Sequence, residues 1–471
     1  MINGVIRMRR ELMIRLLRSY LAGTIDDDID KIPCQLRPRD MASTRCCPYK
    51  DRAIIKYRLM ALLGAAWEDE QDESRPLRDY LRDALAAHAR PARPLTVCGT
   101  GCSGCEDGKY QVTDACRACF ARPCTYNCPA QAISFRSQRA HIDQDACKNC
   151  GKCMELCPFH AITRAVVPCE EACPVGAIRK NAAGVAEIDF AACIFCGKCF
   201  AACPFAAILE RSELLNIVDD LQRGRKLVAL VAPSAAGQFP GSIGQLFAAM
   251  AAADFSDVIE VAIGAEMTTA HEAAEYRERM AAGARLLTTS CCPAYVEAAK
   301  KHALAIVPFI SNTPSPMLYA AQIAREKHPE AAIVFIGPCI AKRHEATLHP
   351  GVIDWIMSFE ELGALLAAKG IDVMSQPEWP MPRPAAASAR HFARSCGVTE
   401  AVLKELAANT HDHDVEAKAE AVAVQGRVID GITTKSVKQL QLYGLGKLPG
   451  NFLEVMACPG GCNNGPCSLS C

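Results

Sequence analysis

The chain of 471 residues lacks any excess of charge of one sign. Its 52 lysines and arginines balance 52 aspartates and glutamates. Nucleic acids and anionic membrane surfaces select proteins with a basic excess, so this balance gives no indication of either partner. The length predicts two to four domains, and a hydrophobic share of 50% is ample for their cores.

The sequence pattern predicts neither a secretory leader nor a membrane span. The first apolar stretch is too often interrupted to form the h-region of a leader. The interrupting charged residues are Arg7, Arg9, Arg10, Glu11, Arg15 and Arg18. The uncharged stretch 227–253 is long enough for a span but contains several helix breakers. It therefore predicts a buried strand, a loop and a core helix. We expect a cytoplasmic protein without a membrane partner.

Cysteine, in contrast, is abundant, with 28 residues. A disulfide framework and metal ligation are the two explanations of such a content. Disulfide frameworks are typical of short secreted chains, whereas this chain is long and its cysteines cluster in CxxC spacing. The pattern favours iron–sulfur ligation in a reducing compartment.

The pattern divides the chain into three predicted regions. Residues 1–95 read as a helical module or extension, with helical periodicity in Ala53–Trp67 and Leu77–His88. Residues 96–210 are dense in cysteine. Residues 211–471 alternate strands with helices, which predicts βαβ units and a mostly parallel sheet. The predicted strands are Lys226–Ala232, Val258–Ile263 and Ala331–Ile336, and the predicted helices are Glu272–Ala281, Ala294–His302, Met317–Lys327 and Phe359–Lys369.

Cysteine runs that end in Cys-Pro fill the middle region. In two-cluster ferredoxins, three cysteines of such a run ligate one [4Fe–4S] cluster and the fourth ligates its neighbour. Assigning the last cysteine of each run to the neighbouring cluster in this way predicts three clusters. The first uses Cys116, Cys119, Cys124 and Cys157. The second uses Cys147, Cys150, Cys153 and Cys128. The third uses Cys193, Cys196, Cys199 and Cys173.

A fourth cluster is predicted from the cysteines that remain. Cys169 and Cys203 need partners, and the candidates are Cys98, Cys102 and Cys105. Two alternatives exist for this region. The first is a zinc site, because CxxC pairs also bind zinc. The second is a radical-SAM cluster loop, because Cys98, Cys102 and Cys105 have its spacing, although the aromatic residue expected before the third cysteine is missing. The Cys-Pro endings favour iron–sulfur clusters over both.

Four cysteines of the last region lie apart in sequence, each at the edge of an apolar run. They are Cys292, Cys339, Cys458 and Cys462. Together they can supply four thiolates to one iron site from three loops, whereas a simple electron-carrying cluster takes most ligands from one short run. Such a site is walled by the fold, as a catalytic metal site tends to be.

The motifs around these cysteines resemble the three signatures of [FeFe]-hydrogenases. They are T-S-C-C-P at Thr289–Pro293, P-C-x-x-K-x-x-E at Pro338–Glu345 and E-x-M-A-C-x-x-G-C at Glu454–Cys462. The resemblance implies an α/β catalytic domain of the hydrogenase large-subunit type with mixed or parallel sheets. Ferredoxin-like α+β modules and a short helical N-terminal region would precede it.

The resemblance also implies a cofactor, the H-cluster. Its [4Fe–4S] cubane would be held by the four cysteines, with Cys462 bridging to a di-iron subcluster that carries CO, cyanide and a dithiolate. Lys342 would face a cyanide ligand and Glu345 would hold that lysine. Further pocket residues implied by motif position are Ala232, Pro233, Ser234 and Met456. The positions Gly337, Tyr295 and Met317 depart from the better-known members.

A proton path is implied next to the metal. By motif position Cys291 would donate protons to the di-iron unit, and Glu272, Glu275 and Ser311 would form a relay behind it. A thiol suits this function when its pKa lies near the working pH. The alternatives are a small buried thiol for Cys291 and a solvated helix face for the two glutamates.

The resemblance implies reversible conversion of protons and electrons into H2. The expected partners are an external ferredoxin or similar carrier and the di-iron maturation enzymes. Two alternatives belong to other classes. Some relatives of this fold serve in cytosolic iron–sulfur assembly and lack the di-iron site, and others sense H2. Retention of Cys291, Lys342, Cys458 and Cys462 favours the enzyme.

Overall fold

The computed structural model describes residues 4–42, 45–102, 105, 109–380, 384–408 and 424–469. The chain forms two compact units. The first combines Met1–Cys102 with Cys173–Cys471, and the second is Ser103–Ala172. The N-terminal residues thus belong to the same unit as the C-terminal half. The boundaries predicted at residues 95 and 210 stay predictions.

Five helices open the chain. Helix α1 buries Leu12, Met13, Leu16 and Leu17 on one face, and these side chains belong to the same hydrophobic core as the strands of the C-terminal half. The helix predicted at Ala53–Trp67 begins and ends five residues earlier, because Pro48 supplies a favourable first position. The elements are α1 Gly4–Leu21, α2 Ile25–Asp28, α3 Ile32–Leu36, α4 Pro48–Leu62, α5 Leu77–Ala87 and strand β1 Leu95–Val97.

The second unit has the ferredoxin-like arrangement that its cysteine runs predict. Its outer strands β2 and β5 pair antiparallel, and β3 and β4 form a hairpin. Tyr110, Ile133, Ala140 and Ile162 fill its small core. The elements are β2 Tyr110–Val112, α6 Pro123–Tyr126, β3 Ile133–Arg136, β4 Arg139–Ile142, α7 Lys152–Leu156, β5 Ile162–Arg164 and α8 Pro168–Ala172.

The first unit contains the same arrangement a second time. Strand β1 pairs antiparallel with β8, and β6 and β7 form the hairpin. In the chain, the whole second unit is inserted between β1 and β6. The segment after β1, which contains Cys98 and Cys102, therefore belongs to the same arrangement as Cys173. The elements are β6 Ile178–Lys180, β7 Ala186–Ile188, α9 Lys198–Ala202 and β8 Ile208–Glu210.

Every Cys-Pro ending in these modules forms the same turn. The third residue after the cysteine has a positive φ, and the amide of the fourth, an alanine, donates a hydrogen bond to the cysteine Sγ at 3.2–3.4 Å. Amides aimed at sulfur stabilise a thiolate and tune a cluster. The cysteines with this turn are Cys128, Cys157, Cys173 and Cys203.

Two parallel sheets form the C-terminal half. One has the strand order β10-β9-β12-β13 and the other β11-β15-β14. The strands are β9 Leu227–Val231, β10 Asp257–Glu260, β11 Leu287–Thr288, β12 Ala332–Gly337, β13 Trp355–Ser358, β14 Gly426–Asp430 and β15 Phe452–Met456. Cys292, Cys339 and Cys458 follow the carboxyl ends of β11, β12 and β15, where α/β sheets place their sites.

Helices cover these sheets. They are α10 Leu214–Gln222, α11 Ile243–Ala252, α12 Val261–Ala281, α13 Pro293–His302, α14 Pro316–Lys327, α15 Ile340–Leu348, α16 Phe359–Lys369, α17 Ala387–Arg390, α18 Gly397–Ala408 and α19 Thr434–Gly444. The strand predicted at Val258–Ile263 is wrong beyond Glu260, where α12 begins. In the described part of the chain, no helix combines the length and apolarity needed to cross a membrane.

Candidate metal centre

The four separated cysteines of the C-terminal half line one cavity of about 90 Å³. Cys292 and Cys339 stand immediately before α13 and α15, whereas Cys458 and Cys462 follow β15. The fold thus brings three distant loops together, as the sequence predicts. Gly461 between the last two has a φ of +85°, and a Cβ there would lie 2.4 Å from the Ala393 carbonyl oxygen. Only glycine fits this turn.

The four thiols are strongly disfavoured as free anions. Burial raises the pKa of Cys339 and Cys462 to about 12, and the pKa values of Cys292 and Cys458 also rise, for the same reason. Backbone amides at the start of α13 and α15 act in the opposite direction without reversing the shift. A thiolate set in such a pocket needs a metal to keep it deprotonated, and thiolates are the ligands of iron–sulfur clusters.

Lys342 brings a positive charge to the same cavity. Its Nζ lies 2.5 Å from Glu345 Oε2 and donates to Ser315 Oγ at 3.0 Å and to the Cys291 carbonyl oxygen at 3.4 Å. Burial acts to lower the pKa of Lys342, but Glu345 together with Cys339 and Cys291 outweighs it, and the pKa is raised. The lysine is therefore a fixed cation at the wall of the cavity.

Cys291 also lines the cavity, next to the ligand candidate Cys292. Burial raises its pKa well above the usual range, and Glu272 adds to the shift. Glu272 is fully buried on α12, and its Oε1 accepts a hydrogen bond from the Ser290 amide at 3.2 Å. Burial raises the pKa of Glu272 to about 8.

Glu275, one helical turn further along α12, forms a second group with Ser311. The Ser311 hydroxyl donates to Glu275 Oε2 at 2.5 Å, and Thr313 Oγ1 donates to the same oxygen at 3.1 Å. On the other side, Arg279 lies 2.5 Å from Glu275 Oε1. The burial of Glu272 contradicts the alternative of a solvated helix face for this residue.

The remaining predicted pocket residues are also in the cavity wall, where Ala232, Pro233, Ser234 and Met456 lie. Three of them are apolar and exclude water. The exception is Ser234, whose buried hydroxyl finds no hydrogen-bond partner among the described residues. A buried hydroxyl without a partner is costly, so this atom indicates a polar guest in the cavity. Thiols, a cation and an orphaned hydroxyl together fit the predicted cluster.

The three departing positions have local compensations. A Cβ at Gly337 would lie 2.7 Å from the ring of Phe335, which itself lines the cavity. The phenyl ring thus fills the space that a side chain at position 337 would need. Tyr295 is fully buried with its hydroxyl 2.7 Å from Thr288 Oγ1, and Met317 forms part of the apolar wall.

The cysteines of the three predicted accessory clusters also share cavities. In the second unit, one cavity is lined by Cys116, Cys119, Cys124 and Cys157, and another by Cys128, Cys147, Cys150 and Cys153. In the first unit, a third cavity is lined by Cys173, Cys193, Cys196 and Cys199. The rule that assigns the last cysteine of each run to the neighbouring cluster therefore groups the thiols as the fold does.

The cysteines left for a fourth cluster are divided between the units. Cys98, Cys102 and Cys203 lie in the first unit, whereas Cys105 and Cys169 lie in the second. The Cys98 amide donates to the Ala207 carbonyl oxygen at 2.8 Å, and the Ala207 amide donates to Cys203 Sγ. The Cys102 amide bonds to the Cys98 carbonyl oxygen. The backbone of Cys98 is thus linked to the turn that follows Cys203, whereas the Cys102 Sγ accepts a hydrogen bond from the Ala186 amide at 3.4 Å.

Sequence reasoning missed three contributors to the centre. Cys196 lines both the third accessory cavity and the cavity of the four separated cysteines, so the two sites share a wall. Phe392 lines the second of these cavities from the segment before α18, and Ser315 accepts a hydrogen bond from Lys342. No local motif marks Phe392 or Ser315. The sequence marks Cys196 only as the middle cysteine of a CxxCxxC run, which does not indicate that it also lines the second cavity.

Fold and site define an iron–sulfur protein in which ferredoxin-like modules accompany a buried, cysteine-walled centre. The chain belongs to the iron-only hydrogenase family, because the model for the C-terminal domain of the large chain of these enzymes matches residues 225–466, just over half of the chain. Two further models describe Fe–S binding domains. The LdpA Fe-S cluster-binding domain matches residues 116–167, and a 4Fe-4S binding domain matches residues 186–209.

The similar proteins include both hydrogenases and an Fe-S cluster assembly factor. Iron hydrogenase 1 of Clostridium pasteurianum is 26% identical over 420 residues, 77% of this chain and 70% of that protein. The periplasmic [Fe] hydrogenase large subunit of Nitratidesulfovibrio vulgaris is 27% identical and covers 50% and 67%. A probable cytosolic Fe-S cluster assembly factor of Aedes aegypti is 24% identical and covers 44% and 52%. Among solved structures, an apo variant of [FeFe]-hydrogenase HydA1 from Chlamydomonas reinhardtii aligns with a TM-score of 0.43 at 22% identity, covering 52% and 80%.

Proposed function

We propose that the protein is a hydrogenase that interconverts two protons and two electrons with H2. The observation that carries the proposal is one cavity that holds Cys292, Cys339, Cys458 and Cys462 together with Cys291 and Lys342. The four thiols suffice for a cluster alone. Cys291 and Lys342 are not needed as ligands, so their presence favours catalysis over the non-catalytic assembly alternative.

The di-iron unit, when bound, supplies the metal at which H–H bond formation and cleavage occur. Cys291 holds a proton at Sγ on the cavity wall, and Glu272 is the next group that can exchange one. Glu275 and Ser311 continue the path toward Arg279. Burial raises the pKa of Glu272 to about 8, close to neutral pH, which suits a group that takes up and releases protons.

Lys342 has a binding function. Its ammonium, fixed by Glu345 and Ser315, would hold an anionic ligand of the di-iron unit by a charge-assisted hydrogen bond. Ser234 offers the second polar contact. The apolar wall formed by Ala232, Pro233 and Met456 excludes water, which strengthens both interactions.

Electrons would travel through accessory [4Fe–4S] clusters to or from a ferredoxin-type carrier. The shared wall at Cys196 supports the third cluster as the neighbour of the catalytic one. We assign the first three predicted clusters to the thiol sets that share cavities. A fourth would use Cys98, Cys102 and Cys203, with Cys105 and Cys169 as further candidates.

The function is tested by producing the protein together with the dedicated di-iron maturation enzymes. Infrared bands of metal-bound CO and cyanide and an H2 assay are then measured on the same preparation. Bands with turnover are the expected result. Absence of the bands after complete cluster reconstitution would reject the hydrogenase and favour the assembly alternative. Bands without turnover would point to an H2-sensing member.

A further inference from the structure

Two helices of the first unit connect the cavity of the four separated cysteines to the third accessory cavity. Helix α13 begins directly after Cys292 and ends at His302, and α15 begins directly after Cys339. The end of α13 contacts the loop that carries Cys193, because His302 Nε2 donates a hydrogen bond to the Ala192 carbonyl oxygen at 2.7 Å. A helix that begins at a ligand candidate of one cluster therefore ends on the ligand loop of its neighbour.

Lys301, in the last turn of α13, is attached to the same loop. Its Nζ donates to the Cys193 carbonyl oxygen at 2.7 Å and to the Phe190 carbonyl oxygen at 3.4 Å. The ammonium also lies over the ring of Phe195, 4.9 Å from the ring centroid. Burial raises the pKa of the Cys193 thiol, and the charge of Lys301 acts in the opposite direction. A cation is thus fixed on the backbone of a proposed cluster ligand.

A buried carboxylate holds this ammonium in place. Glu297 Oε2 lies 3.0 Å from Lys301 Nζ and 3.6 Å from His344 Nε2. The pKa of Glu297 falls to about 2, because the contacts with His344 and with Lys301 favour the charged form more than burial disfavours it. The adjacent lysine of the same helix, Lys300, is exposed. It therefore offers a charge of the same kind that is not held on the loop.

The ligand loop itself is adapted to this contact at Phe195. In each of the three CxxCxxC-type runs, the residue before the second cysteine has a positive φ: +48° at Ala118, +50° at Asn149 and +57° at Phe195. A bulky side chain is rare in this conformation. The buried ring of Phe195 stacks on the ring of His344, with the centroids 4.0 Å apart. Packing against α15 and Lys301 thus compensates for a strained backbone position.

Other charges near the loop are placed differently. Burial raises the pKa of both Cys193 and Cys196. Lys198 opposes this shift at Cys196, but its ammonium bonds to a backbone carbonyl outside the ligand loop. The exposed Asp189 adds to the shift at Cys193. Among these charges, only that of Lys301 is bonded to the backbone of a proposed ligand.

We propose that Lys301 raises the reduction potential of the third accessory cluster, the one assigned to Cys173, Cys193, Cys196 and Cys199. The inference rests on the proposed function for this cluster assignment, but it does not depend on H2 turnover. Reduction adds one negative charge to a cluster, and a fixed cation beside it stabilises that charge. Lys301 acts on the cluster through space and through the Cys193 backbone, so it is a positioning residue.

The direction of electron flow follows from this sign. In the step concerned, one electron leaves the reduced catalytic [4Fe–4S] cluster and enters the oxidised third cluster, and no bond forms or breaks. Cys196 lines both cavities, so the electron crosses a shared wall. A raised potential at the third cluster favours this transfer away from the catalytic centre, which is the direction of H2 oxidation.

The test is a redox titration, followed by electron paramagnetic resonance, of protein that carries its [4Fe–4S] clusters but no di-iron unit. Lys301→Gln removes the charge and keeps a hydrogen-bond donor. We expect the reduction equilibrium of one cluster to become about tenfold less favourable, which is a potential lower by about 59 mV for a one-electron couple. Lys301→Arg should restore the wild-type potential. Lys300→Gln, at the exposed neighbour on the same helix, is the matched control and should leave every potential unchanged.

A ligand variant identifies the cluster that shifts. Cys173 lines the third accessory cavity, so the signal that Cys173→Ser changes belongs to the third cluster. Wild-type potentials in Lys301→Gln, or a shift confined to another cluster, would overturn the proposal. Lys301→Met, which removes both the charge and the hydrogen bonds, should lower the same potential. A shift in Lys301→Met without one in Lys301→Gln would assign the effect to the hydrogen bonds and overturn the role of the charge.

The hydrogenase assignment and the role of Lys301 fail in different experiments. The titration needs no H2, so a lowered potential in Lys301→Gln supports the role of Lys301 even in a protein that never turns over. Unchanged potentials in a protein that produces H2 would contradict only the role of Lys301. In the active enzyme, Lys301→Gln should lower the ratio of H2 oxidation to H2 production, and a higher ratio would contradict the proposed direction.

Discussion

Adjacent residues at the centre have different surroundings, as Cys291 and Cys292 show. Cys292 stands at the start of α13, where backbone amides favour its thiolate, whereas Cys291 has a buried carboxyl, Glu272, among its neighbours. The first environment suits a ligand. The second suits a group that stays protonated until a stronger acceptor is present.

Replacing Cys291 by serine tests this division. A hydroxyl in the same position gives up its proton far less readily than a thiol, so we expect H2 turnover to fall by about 10² or more. The iron content should not change, because Cys291 is not proposed as a ligand. Cys396→Ser, at an exposed cysteine, is the control for general damage by losing a thiol. Equal turnover in the wild type and Cys291→Ser would reject the relay.

The protonation of Glu272 gives a prediction about pH. Its pKa of about 8 lies above that of an ordinary glutamate, because burial disfavours the charged form. The carboxyl should therefore be neutral at pH 6 and ionise as the pH rises through about 8. Infrared difference spectra should contain a protonated carboxyl band that fades over this range. Glu272→Gln should remove the band and Glu275→Gln should retain it.

At the scale of elements, α15 joins the centre to the rest of the first unit. Lys342 on this helix faces the cavity, while the next residue, Arg343, enters a buried group of glutamates. Its guanidinium lies 2.7 Å from Glu210, 3.2 Å from Glu213 and 2.6 Å from Glu361. The arginine thus connects the end of β8, the start of α10 and α16, and it fixes the helix that presents Lys342.

Replacing Arg343 by methionine should strongly destabilise the first unit. The methionine keeps much of the volume but leaves three buried carboxylates without their shared partner, which costs about 3–5 kcal/mol. The free energy of unfolding, followed by denaturant titration, measures the effect. Arg277→Met, at an arginine with only exposed hydrogen bonds, should cost less than about 0.5 kcal/mol. Similar values for the two variants would contradict the bridging role of Arg343.

Helices and strands were predicted correctly where the periodic pattern of apolar residues was long and uninterrupted. Phe359–Lys369 is a helix over the predicted residues, and the strands at Leu227–Val231 and Ala332–Gly337 agree within a few residues. The extension of a strand to Ile263 failed because Val261 and Ile263 are β-branched and favour strands locally. Packing of the small residues Ala262 and Ala265 into the core makes this segment the start of α12.

At the scale of the whole molecule, the sequence identified the four cysteines that line the central cavity but not the order of the modules. Short motifs identify Cys292 or Lys342 because their chemistry depends on neighbours in the chain. The insertion of Ser103–Ala172 between β1 and β6 is invisible to such motifs, because it separates Cys98 and Cys102 from Cys173. Only the pairing of β1 with β8 shows that these cysteines belong to one module.

This nested order predicts that Cys98 ligates a cluster, although no CxxCxxC run contains it. Burial raises the pKa of Cys98 to about 11, while the nearby guanidinium of Arg58 favours the thiolate. The Cys98 amide donates a hydrogen bond to the Ala207 carbonyl oxygen, and the Ala207 amide donates one to Cys203 Sγ. Cys98→Ser should therefore lower the iron content of the reconstituted protein by about four atoms per chain. Cys34→Ser, at an exposed cysteine of the N-terminal helices, should leave the iron content unchanged. Iron contents that are equal in both variants would show that Cys98 is not a ligand, and the accessory clusters would then number three.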